Sequence, residues 1–205
     1  MRSTTPRDLS GHCTRCLLNQ SICVCAALPT VMARTEIVLI RHVAERWLTS
    51  NSGRFAALAL PNARVLEYGG GEPFNESEIE LAGSAVLFHT GTPALSVMPR
   101  RLIVLDASFR QASRMYKRID ALRALPVLSL PAAREPPARL RAPPHAAGMS
   151  TLEAVASALA RLEGEELAQP LFALHGELVR RADALRGRNR AYPSGFKPSA
   201  ASSVR

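Results

Sequence analysis

Four consecutive apolar residues, Leu102-Ile-Val-Leu105, run without a polar break into Asp106, and no other stretch limits the possible folds as much. A strand that is apolar on both sides must be covered on both sides, which is the condition of a buried parallel strand in an α/β sheet. Past Asp106 the character of the chain changes. Ala107-Ser108 reads as a turn, and a helix carrying Arg110, Arg114, Lys117 and Arg118 follows. An acid at the carboxyl end of a buried strand, beside a cationic helix, stands where open α/β sheets hold ligands. Asp is also scarce, with four in 205 residues. The competing reading makes Asp106, or Ser108, no more than the cap of that helix.

Other segments repeat the pattern. Glu36–Ile40 reads as a first strand, Val65–Tyr68 as a short second one closed by Gly69-Gly70-Gly71, Ser84–Phe88 as a third, Leu102–Leu105 as the fourth and Val127–Leu130 as a fifth. Helical spacing covers Trp47–Leu60, the neighbourhood of Glu76–Leu81, Ser108–Leu122, Ser150–Leu162 and Gln169–Arg186. Ser150 and Glu153 form an S-x-x-E capping box. This alternation predicts an α/β fold, a mostly parallel sheet with flanking helices. Residues 131–149 hold five prolines and read as a long loop. The glycine run lacks G-x-G-x-x-G spacing and is no dinucleotide fingerprint. Parallel strands would bring His89-Thr90-Gly91, Asp106 and the proline loop to one sheet edge, able to enclose a small ligand of mixed polarity.

All four cysteines, Cys13, Cys16, Cys23 and Cys25, fall within thirteen residues, spaced C-x2-C-x6-C-x-C. Four thiolates suit tetrahedral zinc in a structural role, because no coordination position stays open. A disulfide scaffold is the alternative, and it fits poorly with an N-terminus that lacks an apolar signal region. No apolar run approaches the ~20 residues of a membrane span. A cytoplasmic protein without membrane association is therefore expected. It would be divided into a zinc-binding knuckle (1–30), an α/β domain (31–186) and a disordered basic tail (187–205). The net charge of +9, carried by 24 Arg and two Lys, favours a polyanionic partner. Aromatic residues make up only 5%, so no stacking platform for single strands is evident.

At these residues a family resemblance emerges. The chain resembles the DTW-domain proteins, tRNA-uridine aminocarboxypropyltransferases similar to SPOUT-type RNA methyltransferases. Asp106-Ala-Ser-Phe109, continuing into Arg110-Gln-Ala112, resembles the D-x-T-W motif. Cys13-Thr-Arg-Cys16 through Cys23-Val-Cys25 resembles the family's knuckle. His42-Val-Ala-Glu45 and Ser50-Asn-Ser-Gly-Arg54 resemble H-P-x-E and T-N-T-G-R, and Leu140-Arg141 with Ser150-Thr-Leu-Glu-Ala154 resemble the closing signature. The matches occur in order over about residues 12–165. The chain departs from the pattern at Val43, at Ser108, at Phe109, and in the loop after strand three, where a proline and acidic residues are usual.

The resemblance implies a SPOUT-like fold with a possible C-terminal knot, and S-adenosylmethionine as cofactor beside structural zinc. It implies transfer of the 3-amino-3-carboxypropyl group to N3 of a tRNA uridine, with tRNA rather than DNA as partner. An RNA methyltransferase, or a non-catalytic zinc-containing RNA-binding protein, is the alternative. Asp106, Ser108 and Arg110 are the candidate catalytic residues. Asp106 would act either as the base for the weakly acidic N3–H or as partner of the cofactor's α-ammonium. His89, Thr90, Gly91, Asp106, Ser108, Phe109, Leu130, Pro131, Ser150 and Thr151 are candidate cofactor contacts. Phe109 reads equally as a core residue, and His42 with Glu45 as a site pair or a surface pair. Arg41, Arg46, Arg54, Arg114, Lys117, Arg118, Arg139 and Arg141 are candidate phosphate contacts. Monomer and homodimer both remain open.

Overall fold

Successive side chains of a strand point to opposite faces, which explains how this sheet is covered. The computed structural model of the chain describes residues 8–92, 95–131 and 148–187. Five strands, β1 (Glu36–His42), β2 (Arg64–Tyr68), β3 (Ser84–Thr92), β4 (Arg101–Asp106) and β5 (Val127–Leu128), are parallel throughout and lie in the order β2-β1-β4-β3-β5. Ile37, Leu39, Leu102 and Val104 face one side. There they pack with α1 (Gly53–Ala59), α4 (Thr151–Glu163), α5 (Glu165–Leu185) and the cysteine knuckle. Val38, Ile40, Ile103 and Leu105 face the other side, under Met115 of α2 (Phe109–Arg118), Ile119 and Leu122 of α3 (Asp120–Arg123). The expected α/β architecture and parallel sheet are therefore present.

Several boundaries differ from the sequence reading, each for a local reason. The helix expected over Trp47–Leu60 begins only at Gly53. Before it, a 3-10 turn at Val43–Glu45 and a series of turns are held by side chains bonding to backbone, among them Arg54 to the carbonyls of Leu48 and Arg46. Strand three continues through His89-Thr90-Gly91 to Thr92 instead of ending in a loop at Phe88, because the Ser129 N–H donates to the Thr92 carbonyl at 2.8 Å and draws β3 along β5. The fifth strand contracts to two residues. The helix expected over Ser108–Leu122 breaks at Ile119, whose backbone is extended. It restarts because the Glu76 carboxylate accepts from the N–H groups of Asp120 and Ala121, and Glu76 itself lies in a 3-10 turn, Glu76–Glu78, rather than a helix. The last helix starts at Glu165 and accommodates Pro170. Residues 132–147, which link β5 to α4 and carry Arg139, Arg141 and four of the five prolines, lie outside the described residues. So do residues 188–205, the expected tail. A knot is accordingly not among the features described.

Candidate active site

The chain leaves β1 toward β2 at one edge of the sheet and leaves β4 for β5 at the other. The carboxyl ends of β1 and β4, side by side, thus form the topological switch point where such sheets open a crevice. Asp106 closes β4 there, in register with Arg41 of β1, and is 2% exposed. Its Oδ2 accepts from Asn51 Nδ2 at 2.8 Å and its Oδ1 from Thr151 Oγ1 at 2.8 Å. Asn51 Oδ1 in turn accepts from the Arg54 N–H in the first turn of α1 (2.9 Å), and Ser52 Oγ accepts from the Leu152 N–H at the start of α4 (3.3 Å). One carboxylate therefore ties a strand tip to the entries of two helices. Burial raises its pKa above the ordinary carboxyl value, and the two hydrogen bonds oppose that rise.

Gly53 makes this packing possible. A Cβ built there would stand 2.4 Å from both Cγ and Oδ1 of Asp106, so a side chain can enter only by displacing the carboxylate. Gly53→Ala is expected to destabilise the fold by about 1–3 kcal/mol through overpacking. The loss should be read as a lower denaturant midpoint at unchanged slope.

Ser108, not Asp106, is the N-cap of α2, and its N–H donates to Gln111 Oε1 at 3.0 Å. Gln111 Nε2 lies 3.3 Å from His42 Nδ1, which also accepts from the Ala44 N–H at 3.1 Å. With donors gathered on Nδ1, the neutral ring carries its proton on Nε2. Burial, opposed by Glu45, lowers the pKa of His42, and Glu45 is itself buried. A histidine depressed in the fold destabilises it once protonated, so stability is lost as pH falls through the ordinary value of 6.5. Acid melting curves of His42→Asn, whose amide oxygen replaces the Nδ1 acceptor, should be flatter than those of the unaltered chain between roughly pH 7 and 5.

The other candidate residues sort by placement. His89 and Thr90 are exposed on β3, and Gly91 is pressed against Val127 of β5, where a Cβ would meet the Val127 carbonyl at 2.4 Å. Leu130 is half-buried and Pro131 exposed on the same edge. Ser150 closes the capping box with Glu153, and the hydroxyl of Thr151 is committed to Asp106. Among the cations, Arg114, Lys117, Arg118 and Arg110 are exposed on α2, and Arg46 is exposed with its guanidinium 5.2 Å from the Trp47 ring centroid. Arg41 is paired with Glu67. Arg54 is 8% exposed and spends its guanidinium on two carbonyls, and burial holds its pKa down to about 10. Arg54 thus braces the loop before α1 instead of presenting charge to solvent.

The four cysteine sulfurs lie within 4.8 Å of one another, with Cys13–Cys25 at 3.6 Å and Cys16–Cys23 at 3.8 Å. Sulfurs about 2.3 Å from a tetrahedral ion are themselves separated by roughly 3.8 Å, so the donor set fits zinc. The N–H groups of Cys16 and Arg15 hold the Cys13 thiol down to about 6, while burial pushes Cys25 up to about 12. Arg181 of α5 donates to the Cys23 carbonyl and pins the knuckle to the domain.

Residues 10–182 match the family model of the DTW domain. The chain belongs to the DTW domain family. Among curated proteins, the DTW domain here is similar to tRNA-uridine aminocarboxypropyltransferase 2 of Mus musculus, 27% identical over 209 residues, covering 89% of this chain and 70% of that protein. It is also similar to tRNA-uridine aminocarboxypropyltransferase 2 of Drosophila melanogaster, 26% identical over 185 residues, covering 82% of this chain and 74% of that one. No solved structure matches significantly.

Within the DTW domain, reading the sequence residue by residue assigned no role to Asn51, Gly53 or Gln111. Each lay inside a segment that matched the family, but nothing local shows that a polar side chain will cross to another segment. No helix of the described residues is long and apolar enough to cross a membrane.

Proposed function

We propose that this DTW domain is a tRNA-modifying transferase that moves the 3-amino-3-carboxypropyl group of S-adenosylmethionine to N3 of a tRNA uridine, with a structural zinc ion in its knuckle. The observation that carries this reading is the similarity, over more than four-fifths of the chain, to two proteins named tRNA-uridine aminocarboxypropyltransferase 2. The sheet edge suits such a cofactor: a buried carboxylate, hydroxyls, a helix entry and apolar Leu130 stand at neighbouring strand ends. Asp106, Ser108, Thr90, Gly91, Leu130, Pro131, Ser150 and Thr151 would hold it, with the rings of His89 and Phe109 left exposed beside them. When bound, S-adenosylmethionine would supply a carbon made electrophilic by its sulfonium, with methylthioadenosine as the leaving group, and the proton of uridine N3–H would pass to a base of the chain.

The residues of the chain do the rest. Asp106, its pKa raised by burial, is a better base than an exposed aspartate, and it is equally the counter-charge for an ammonium group. Asn51 and Thr151 set its orientation. Arg110 stands at the start of the same cationic helix, and Arg114, Lys117, Arg118 and Arg46 would take phosphates, a contribution that weakens as salt rises. Incubating the chain with tRNA and S-adenosylmethionine, then weighing the digested nucleosides, tests this reading. A uridine heavier by an aminocarboxypropyl group supports it. A gain of one methyl group would make the chain a methyltransferase, and no gain alongside retained tRNA binding would make it a binding protein.

A further inference from the structure

The rings at the end of β3 form a connected series. Tyr116 of α2 stacks on Phe88, with centroids 4.2 Å apart and planes 15° apart. Phe88 meets His89 at 4.3 Å, and His89 meets Phe109 at 5.1 Å, both tilted. The series starts half-buried at Tyr116 and Phe88 and emerges at His89 and Phe109, the latter 46% exposed. Packing alone gives poor reason to leave a phenylalanine so open when Met115 and Ile119 already seal α2 to the sheet. Its neighbours on the helix are cationic, and among the described residues Arg110, Arg114, Lys117 and Arg118 make no ion pair. Elsewhere cations are consumed, as at the amino edge of the sheet, where Arg101 is paired with both Glu36 and Glu80.

We propose that the exposed His89–Phe109 pair is a stacking platform for an unpaired base of RNA whose phosphates lie along α2. The inference rests on the reading of the chain as a tRNA-acting protein and adds the element that meets the nucleobase. Aromatic faces accept any base, and rings held from below lose little freedom on binding. Helix cations beside them supply attraction to phosphate, which carries no base information. Composition alone shows no platform, and the proposal rests instead on a few aromatic rings that converge.

Fluorescence anisotropy of the full chain with a labelled oligouridylate, and with an abasic ribose-phosphate chain of equal length, tests the platform. Phe109→Ala should weaken oligouridylate binding about tenfold and leave abasic binding unchanged. Phe109→Trp should restore the preference for bases, and Phe109→Leu, apolar but without a π face, should not. Arg114→Ala should weaken both probes alike and reduce the salt slope by about one. Equal losses on both probes with Phe109→Ala, or none, would overturn the platform. So would a loss confined to S-adenosylmethionine affinity in calorimetry, which would assign the ring to the cofactor. Base preference that depends on Phe109, in a chain forming no aminocarboxypropyluridine, would refute the transfer reaction and leave the platform standing.

Discussion

Asp106→Asn should lower transfer activity by on the order of a hundredfold or more while moving the melting temperature by only a few degrees. The amide keeps the shape of the carboxylate, so the packing against Gly53 survives. One of its two polar atoms becomes a donor, however, and both partners of Asp106 donate to it. The Thr151 hydroxyl can turn and accept. Asn51 cannot follow without taking its Oδ1 away from the Arg54 N–H. With its amide nitrogen toward Thr151 and its oxygen toward Asn51 the variant keeps both contacts, so the cost is about 1 kcal/mol or less. Asp106→Ala strands both donors in the interior and should cost several times more stability. Full activity in the asparagine variant would show that neither charge nor basicity at this position is used. The pH response has a defined sign. Between the ordinary value of 3.8 and its raised value, Asp106 keeps its proton in the fold and loses it in the unfolded chain. Its contribution therefore makes stability fall as pH rises through that window. The asparagine variant should lack this component in melts across the acid range.

Stripping the metal from the knuckle, or Cys16→Ser, should lower the melting temperature by on the order of 10 °C, since each kcal/mol moves a domain of this size by ~2–4 °C. Cys16 is fully buried in the core that contains α4 and α5, so its ligand environment and the packing of the domain are one structure. Leu17, beside it, holds a left-handed backbone at φ 58°, an uncommon conformation for a residue other than glycine. That turn is closed by Leu17 N–H to the Cys13 carbonyl and Cys13 N–H to the Leu18 carbonyl, both at 2.8 Å. A bound zinc ion would hold the four sulfurs around one point and with them the turn, and its removal would give up that restraint. Elemental analysis should find one zinc per chain, and scanning calorimetry with and without a chelator should show the shift. An unchanged melt after complete removal would make the cluster dispensable.

The strands were legible because each is a short apolar run fully buried in a parallel sheet, where the pattern needs no partner to be recognised. Helix beginnings were legible where a cap was local, as at Ser150-Thr-Leu-Glu153. They were misplaced where the deciding group came from elsewhere, as when Glu76 restarts a helix at Asp120, 44 positions along the chain. The basic residues divide in the same way. Arg54 and Arg114 look alike in sequence, yet one is folded inward onto carbonyls and the other stands in solvent.

Chain order was enough to announce a layered α/β domain, a thiolate cluster spaced for a metal, and one acid placed at a strand tip, because periodicity, ligand spacing and strand termination are properties of neighbouring residues. Chain order could not announce that this acid would be enclosed by Asn51, Gly53 and Thr151, or that four scattered rings would line up beside a cationic helix. Those relations join residues tens of positions apart, and they exist only once burial of the two apolar sheet faces has brought the strand ends together.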